Sequence, residues 1–207
     1  MPFNVALTAV LSGASQRQLG HWRRTSLLVP EVSASRRILY SFRDVLALRT
    51  VVKLREDQSL QRIRRAFREL PNLDLTDHPS RYSLVSTGAS IVVVETGGVG
   101  VDLVEQPGHV VIARLDDVMA PFESRHGEVV DLRHPRPHLS VREQRLGGWP
   151  TIAGTRVPFD AVATLLSDET VDARDVGDFY PGVSPEAAHE ALDFARSLPD
   201  WRDSTAA

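Results

Sequence analysis

The chain has 207 residues, 42% of them hydrophobic and 25% charged, with 13 Gly and 13 Pro, which is the make-up of a folded globular protein and excludes collagen, a coiled coil and a wholly disordered chain. It has no cysteine, so disulfides, thiolate nucleophiles, iron–sulfur clusters and cysteine zinc sites are excluded, and a reducing compartment is expected. The net charge of −3 hides an asymmetry: residues 1–70 hold 13 Lys and Arg against 5 Asp and Glu, and residues 71–207 hold 11 against 22. That polarity predicts a basic module for a polyanion joined to acidic modules with another role. Arg17, His21, Arg23 and Arg24 follow an apolar first dozen residues that lack a basic n-region, so no signal peptide is read. No apolar run approaches the roughly 20 residues of a membrane span, and a cytoplasmic protein is expected.

Val5 to Leu11 reads as a short apolar helix, Ser12-Gly13-Ala14 as a tight turn, and Ser15 as the N-cap of a second helix. In that helix Leu19 and Trp22 stand three apart and point inward, leaving Gln16, Arg17, His21 and Arg24 outside. An exposed Gln and Arg near a helix N-terminus suit base edges in a major groove. Gly20 costs the helix up to about 1 kcal/mol relative to Ala. Leu27-Leu28-Val29-Pro30 ends the helix, and Ser35 to Tyr40 reads as the returning strand of a small wing. Ser41 then caps a helix from Phe42 to about Leu54 with Val45, Leu48 and Val52 on its apolar face. Ser59 caps another, in which Leu60, Ile63, Phe67 and Leu70 face the core and Arg62, Arg64, Arg65 and Arg68 fill the remaining positions.

This order of elements resembles the N-terminal DNA-binding half of MerR-type regulators, a winged helix-turn-helix, over residues 3 to 70. The resemblance is carried by Ala14-Ser15-Gln16-Arg17-Gln18-Leu19, Trp22, Leu27 to Pro30, Arg37 to Ser41, and Ser59-Leu60 before Ile63. It implies that Ser15, Gln16, Arg17 and His21 face the major groove, with Arg24 on the same outer face. It also implies that Arg36, Arg37 and Tyr40 lie on or beside the wing near phosphates. Gly20 departs from the family pattern, where a longer polar or basic residue is common.

Pro71-Asn72 stops the chain from continuing into the long coiled-coil helix of a full MerR-type sensor. Instead Tyr82 to Ser86, Ser90 to Glu95, Val101 to Val104 and Val110 to Leu115 are β-branched runs separated by Gly-rich turns, a small meander. Asp116 to Glu123 is expected to add a helical turn or two, and Glu128 to Leu132 another strand. His126, His134 and His138 near Asp131 match no defensible metal spacing, and Arg133 to His138, with two prolines, reads as an extended connector.

The string Gly148-Trp149-Pro150-Thr151-Ile152-Ala153-Gly154-Thr155-Arg156-Val157-Pro158 reads as a hairpin turning at Ala153-Gly154, with Pro158 starting a helix. It lacks the lysine and the long apolar strand of a phosphate-binding loop. Phe159 to Leu166, Val171 to Phe179 and Ser184 to Leu198 are three helices, the last capped by Ser184 with Pro185 at its first position. Residues 141–207 hold 6 basic against 12 acidic residues, a surface that DNA repels.

The sequence therefore predicts an α+β, multidomain fold: a winged-helix DNA-binding domain (1–70), a β-rich middle domain (71–132), a linker (133–141), a hairpin plus three helices (142–198) and a tail (199–207). The Gly148 to Val157 string followed by three helices resembles a small domain common in bacterial toxin–antitoxin operons, and with the MerR-like head the chain resembles antitoxins of the VapB type. That resemblance implies a homodimer, or a larger hetero-oligomer, that binds operator DNA and neutralises a PIN-domain ribonuclease toxin. Trp201 packing on the toxin and Arg202 approaching its carboxylates are the contacts expected from the tail. The competing reading is a stand-alone regulator whose β unit senses a ligand. No paired carboxylates, nucleophile string or metal spacing marks an enzyme, and no cofactor is expected.

Overall fold

The structure, a computed structural model, describes residues 1–73, 77–94, 99–107, 110–112, 117–167 and 171–199. It is a mixed α+β architecture with a helical N-terminal region, small antiparallel sheets and a helical C-terminal region. Helices α1 (Val5–Ser12) and α2 (Gln16–Arg24) are joined at Gly13, whose φ of +77° closes α1 with a bond from its N–H to Ala9 O. A Cβ on Gly13 would stand 2.4 Å from Val129 Cγ2, so both the turn and the packing require glycine.

Ser41 caps α3 (Phe42–Leu54) and Ser59 caps α4 (Leu60–Glu69), each side chain accepting the N–H three residues on. Between α2 and α3 the wing is a tight loop closed by reciprocal backbone bonds between Ser33 and Leu39 of 3.1 and 2.9 Å, while Tyr40 bridges to Phe3. Leu7, Leu11, Leu19, Trp22, Val45, Leu48 and Ile63 fill the space between these helices. Their spacing on each helix puts them on one face, which is why the pattern folds as it does.

Strands β1 (Ser83–Ser86), β2 (Ile91–Val94), β3 (Val99–Asp102) and β4 (Val110–Ile112) form the expected antiparallel meander, paired in chain order. Leu84 and Val93 are register partners that join the core shared with α3 and α4, whereas Val85, Val92 and Val94 form a small cluster on the reverse face. The helical turns expected from Asp116 to Glu123 do not form among the described residues. Asp117 to Ala120 is a turn, and Pro121 leads into β5 (Phe122–Ser124), which pairs with β6 (Gly127–Val129) as a two-stranded hairpin. Proline lacks the N–H a helix would use, and Phe122 is held by the cations of α3.

The extended connector expected over Arg133–His138, within the linker 133–141, folds back on itself. Val141 N–H returns to Arg133 O at 2.8 Å, and β7 (Leu139–Ser140) pairs with β8 (Thr151–Ile152) in a buried ribbon. The turn at Ala153-Gly154 is closed by Thr155 N–H to Ile152 O at 3.0 Å, and Ile152 N–H meets Val157 O at 2.9 Å. Helices α5 (Phe159–Ser167), α6 (Val176–Phe179) and α7 (Pro185–Ser197) follow, α5 and α7 packing through Val162, Ala163, Ala188, Ala191 and Phe194. One apolar cluster runs from Phe3 to Leu198. Its seam includes Gly148, at φ +83°, where a Cβ would sit 2.3 Å from Phe42 Cδ2.

Candidate nucleic-acid interface

Ser15 and Gln18 form a capping box at the start of α2. The Gln18 N–H donates to Ser15 Oγ at 3.2 Å, and the Ser15 N–H donates to Gln18 Oε1 at 2.7 Å. Ser15 is therefore committed to holding the helix end, although it is exposed beside Gln16 and Arg17. Leu19 and Trp22 are buried beneath, which fixes the rotation of the helix and leaves Gln16, Arg17, His21 and Arg24 facing out. Arg64 of α4 reaches across to this face, donating to Thr25 Oγ1 at 2.7 Å and lying 3.3 Å from His21 Nε2. Arg65 and Arg68 of α4 are exposed as well.

The wing is anchored by Arg23, whose Nη1 donates to Ala34 O at 2.8 Å. Arg36 sits at its tip with φ +47°, an uncommon conformation for a non-glycine residue, and its side chain is exposed. Arg37 is exposed too, and lines a cleft shared with Trp149 and Asp160 of the C-terminal region. Tyr40 departs from the expectation of a phosphate-facing residue. It is 1% exposed, and burial pushes its phenol pKa up, against the opposing influence of nearby Arg23. The expected contacts Trp201 and Arg202 lie outside the described residues.

Three contacts around this face were missed by the sequence reading. The first is the reach of Arg64, read from the sequence only as one of the arginines that fill the remaining positions of α4. The second is His126 at the tip of the β5–β6 hairpin, whose Nε2 lies 3.3 Å from Gln18 Nε2 and so touches the first turn of α2.

The third is Arg49, fully buried in α3. Its guanidinium donates to the carbonyls of Leu11 (2.6 Å), Val118 (2.7 Å), Met119 (3.3 Å), Ala120 (3.0 Å) and Val130 (3.0 Å), and its Cζ lies 5.3 Å from the Phe122 ring centroid. Burial pushes its pKa down to about 10, with Asp131 and Asp117 opposing, so the group stays charged at neutral pH. The available signal was its place one turn after Val45, on a helix face otherwise apolar.

Glu31, Asp44 and His78 bring ligand-type atoms within 4.8 Å of one another. Their carboxylates are already engaged: Asp44 Oδ2 accepts the N–H groups of Ser41 and Glu31, and Glu31 is held by Arg43 and by the Ser41 hydroxyl. The cluster ties the wing to the start of α3.

Residues 4–70 match the model of the MerR HTH family of regulatory proteins, and residues 140–195 match a protein family of unknown function, DUF433. The chain is 33% identical over 152 residues to uncharacterized HTH-type transcriptional regulators, Rv1830 and MT1879 of Mycobacterium tuberculosis and Mb1861 of Mycobacterium bovis. The match covers 65% of this chain and 65% of those relatives. The crystal structure of Rv2018 from Mycobacterium tuberculosis has a similar fold, with a TM-score of 0.52 at 18% identity, covering 93% of this chain and 98% of that one. Among the described residues no helix is long and apolar enough to cross a membrane.

Proposed function

We infer that the chain is a DNA-binding transcription regulator. It reads operator bases through Gln16 and Arg17 of α2 and holds phosphates through Arg24, Arg36, Arg64, Arg65 and Arg68. The observation that carries this reading is the rotation of α2. Leu19 and Trp22 are locked in the core, so the N-terminal Gln-Arg pair faces out, and Arg64 of α4 reaches the same face. A homodimer would present two such faces to a palindromic site. The test is titration of labelled DNA from upstream of the chain's own reading frame. Arg17→Ala weakens binding by about 1–3 kcal/mol and relaxes sequence preference, whereas Arg36→Ala mainly lowers the salt slope by about one. Unchanged operator affinity in Arg17→Ala would remove α2 from the recognition role.

A second reading adds a protein partner, a PIN-domain ribonuclease silenced by binding to the C-terminal region. It is supported by Phe179, 56% exposed beside exposed Asp175 and Asp178, an aromatic anchor on a surface unsuited to DNA. Co-expression with the product of the neighbouring reading frame tests it. A stoichiometric complex without ribonuclease activity supports it, and separate elution with the ribonuclease still active rejects it.

A further inference from the structure

The β5–β6 hairpin is fastened to the N-terminal helices at its base, along its second strand and at its tip. At the base, the carbonyls of Ala120 and Val130 accept from buried Arg49 of α3, each at 3.0 Å. Val129 of β6 lies against the turn between α1 and α2, where a Cβ on Gly13 would come within 2.4 Å of it. At the tip, Arg125 donates its backbone N–H to Glu56 Oε1 at 3.1 Å and its Nη2 to Glu56 O at 2.9 Å, just beyond α3. The tip loop is also closed on itself: Ser124 Oγ donates to Gly127 O at 2.8 Å and accepts the His126 N–H at 3.3 Å. The hairpin is therefore a fixed prop, and its exposed His126 shares one cleft with Ser15 and Gln16 at the start of α2.

The contact between His126 and Gln18 has one consistent arrangement of hydrogens. The Ser15 N–H can only donate, so the Gln18 atom 2.7 Å from it is the amide oxygen, and the Gln18 atom 3.3 Å from His126 is the amide NH₂. That group too can only donate. His126 Nε2 therefore accepts through its lone pair, which puts the imidazole proton on Nδ1 and leaves the ring neutral. Turning the Gln18 amide over to meet an Nε2–H would aim its NH₂ at the Ser15 N–H and open the capping box.

We propose that His126 is a positioning residue for DNA reading: its Nε2 holds the Gln18 amide, and through the capping box it holds the first turn of α2, from which Gln16 and Arg17 project. The proposal rests on the DNA-binding reading above. Without this acceptor the Gln18 side chain is released to other rotamers, the Ser15 N–H loses a constant partner, and the helix end that carries the reading pair frays. Ordering that end then opposes operator binding. Phosphate contacts elsewhere on the head supply non-specific binding and are untouched, so the loss falls on the ratio of operator affinity to affinity for unrelated DNA.

The test titrates labelled DNA from upstream of the chain's own reading frame, and unrelated DNA of equal length, with the full chain and three variants at this exposed position. His126→Gln sets an amide oxygen near the place of Nε2, His126→Lys sets only a donor there, and His126→Ala leaves nothing. His126→Ala and His126→Lys are expected to bind the upstream DNA about fivefold more weakly, and His126→Gln to stay within about twofold of the native chain. On unrelated DNA His126→Ala should match the native chain. Unchanged upstream affinity in His126→Ala, no rescue by His126→Gln, or an equal loss on both DNAs overturns the proposal. Two further readouts need no DNA: the ¹⁵N spectrum of the His126 imidazole should show the Nδ1–H tautomer, and His126→Ala should speed hydrogen exchange at the Ser15 and Gln18 amides. An Nε2–H tautomer or unchanged exchange overturns the proposal as well. If the native chain does not prefer its upstream DNA, the DNA-binding reading falls, and the tautomer and the amide exchange still decide whether His126 positions α2.

Discussion

The N-terminal and C-terminal helices follow the same local rules and present opposite surfaces. Ser15, Ser41 and Ser59 cap helices in the first region and Ser184 caps α7 in the last, each through its side chain to the N–H three residues on. In both regions the residues at three- and four-residue spacing are buried. The positions left over differ: Arg17, Arg24, Arg65 and Arg68 in one, Asp178, Glu186 and Asp193 in the other. The folding information thus occupies the caps and the inward stripe, and the outward positions are free to choose a polyanion or to refuse it.

What keeps such different surfaces in one body is the seam at Gly148 and Phe42 together with the cage of carbonyls by which Arg49 ties α3 to the middle unit, and the strongest way to break the comparison is to open them. Arg49→Met removes the donor from five carbonyls and is expected to cost about 3–5 kcal/mol in urea denaturation. A loss under about 1 kcal/mol would mean that α3 and the middle unit hold together without the cage. Next in size is Gly148→Ala, which adds left-handed strain to a clash with Phe42 and should cost about 2–4 kcal/mol. Gly88→Ala is its control: φ is +79° and nothing lies within 4 Å of the added Cβ, so only the strain remains, about 1–2 kcal/mol.

A smaller effect is expected in the acidic half at Asp102. Burial raises its pKa, but hydrogen bonds from the Ser90 hydroxyl (2.6 Å) and from the N–H groups of Val104 (2.7 Å) and Glu105 (3.0 Å) outweigh it, so the net shift is downward. The stabilisation is fully present above the unfolded value of about 3.9 and is lost as pH falls through the lower folded value. Asp102→Asn should therefore lose about 1–2 kcal/mol at pH 7, and its deficit against the native chain should shrink below about pH 4. The smallest change sharpens the comparison from the basic side. In Gly20→Ala the new Cβ meets only the flexible end of Arg24 at 3.3 Å, and α2 should gain up to about 1 kcal/mol, seen as a higher melting temperature.

Helix boundaries were legible where a cap marks them: Ser41 and the stripe from Val45 to Val52 defined α3, and β-branched runs between Gly-rich turns defined the meander, whereas the helix expected from Val171 becomes α-helical only at Val176. What was hidden depends on contacts distant in sequence. The turn and hairpin between Asp117 and Val129 replaced an expected helix because Pro121 interrupts it and Phe122 is claimed by Arg49 and Lys53 of α3. The family resemblance implied that Tyr40 lies on or beside the wing near phosphates, yet its backbone bridges to Phe3 and its side chain is buried. The connector read from Pro135 and Pro137 folds back because Leu139 finds a strand partner in Ile152, thirteen residues later. On the candidate DNA face, α2's outward residues were legible from its period, whereas the reach of Arg64 and the touch of His126 were not.

The aromatic side chains form a continuous ladder through this seam. Phe42 lies 6.5 Å from Phe3, Phe3 lies 5.6 Å from Trp149, Trp149 lies 6.1 Å from Phe159, and Phe159 lies 5.0 Å from Phe194 in α7. The first two rungs belong to the N-terminal region and the last three to the C-terminal region, and the ladder crosses between them at Phe3 and Trp149. The N-terminal region is consequently not an interchangeable cartridge: transplanted alone it would carry Phe3 away from Trp149 and a charged Arg49 away from the carbonyls of Val118, Met119, Ala120 and Val130. Exchange of this region requires the matching rungs, Trp149 first among them, to travel with it.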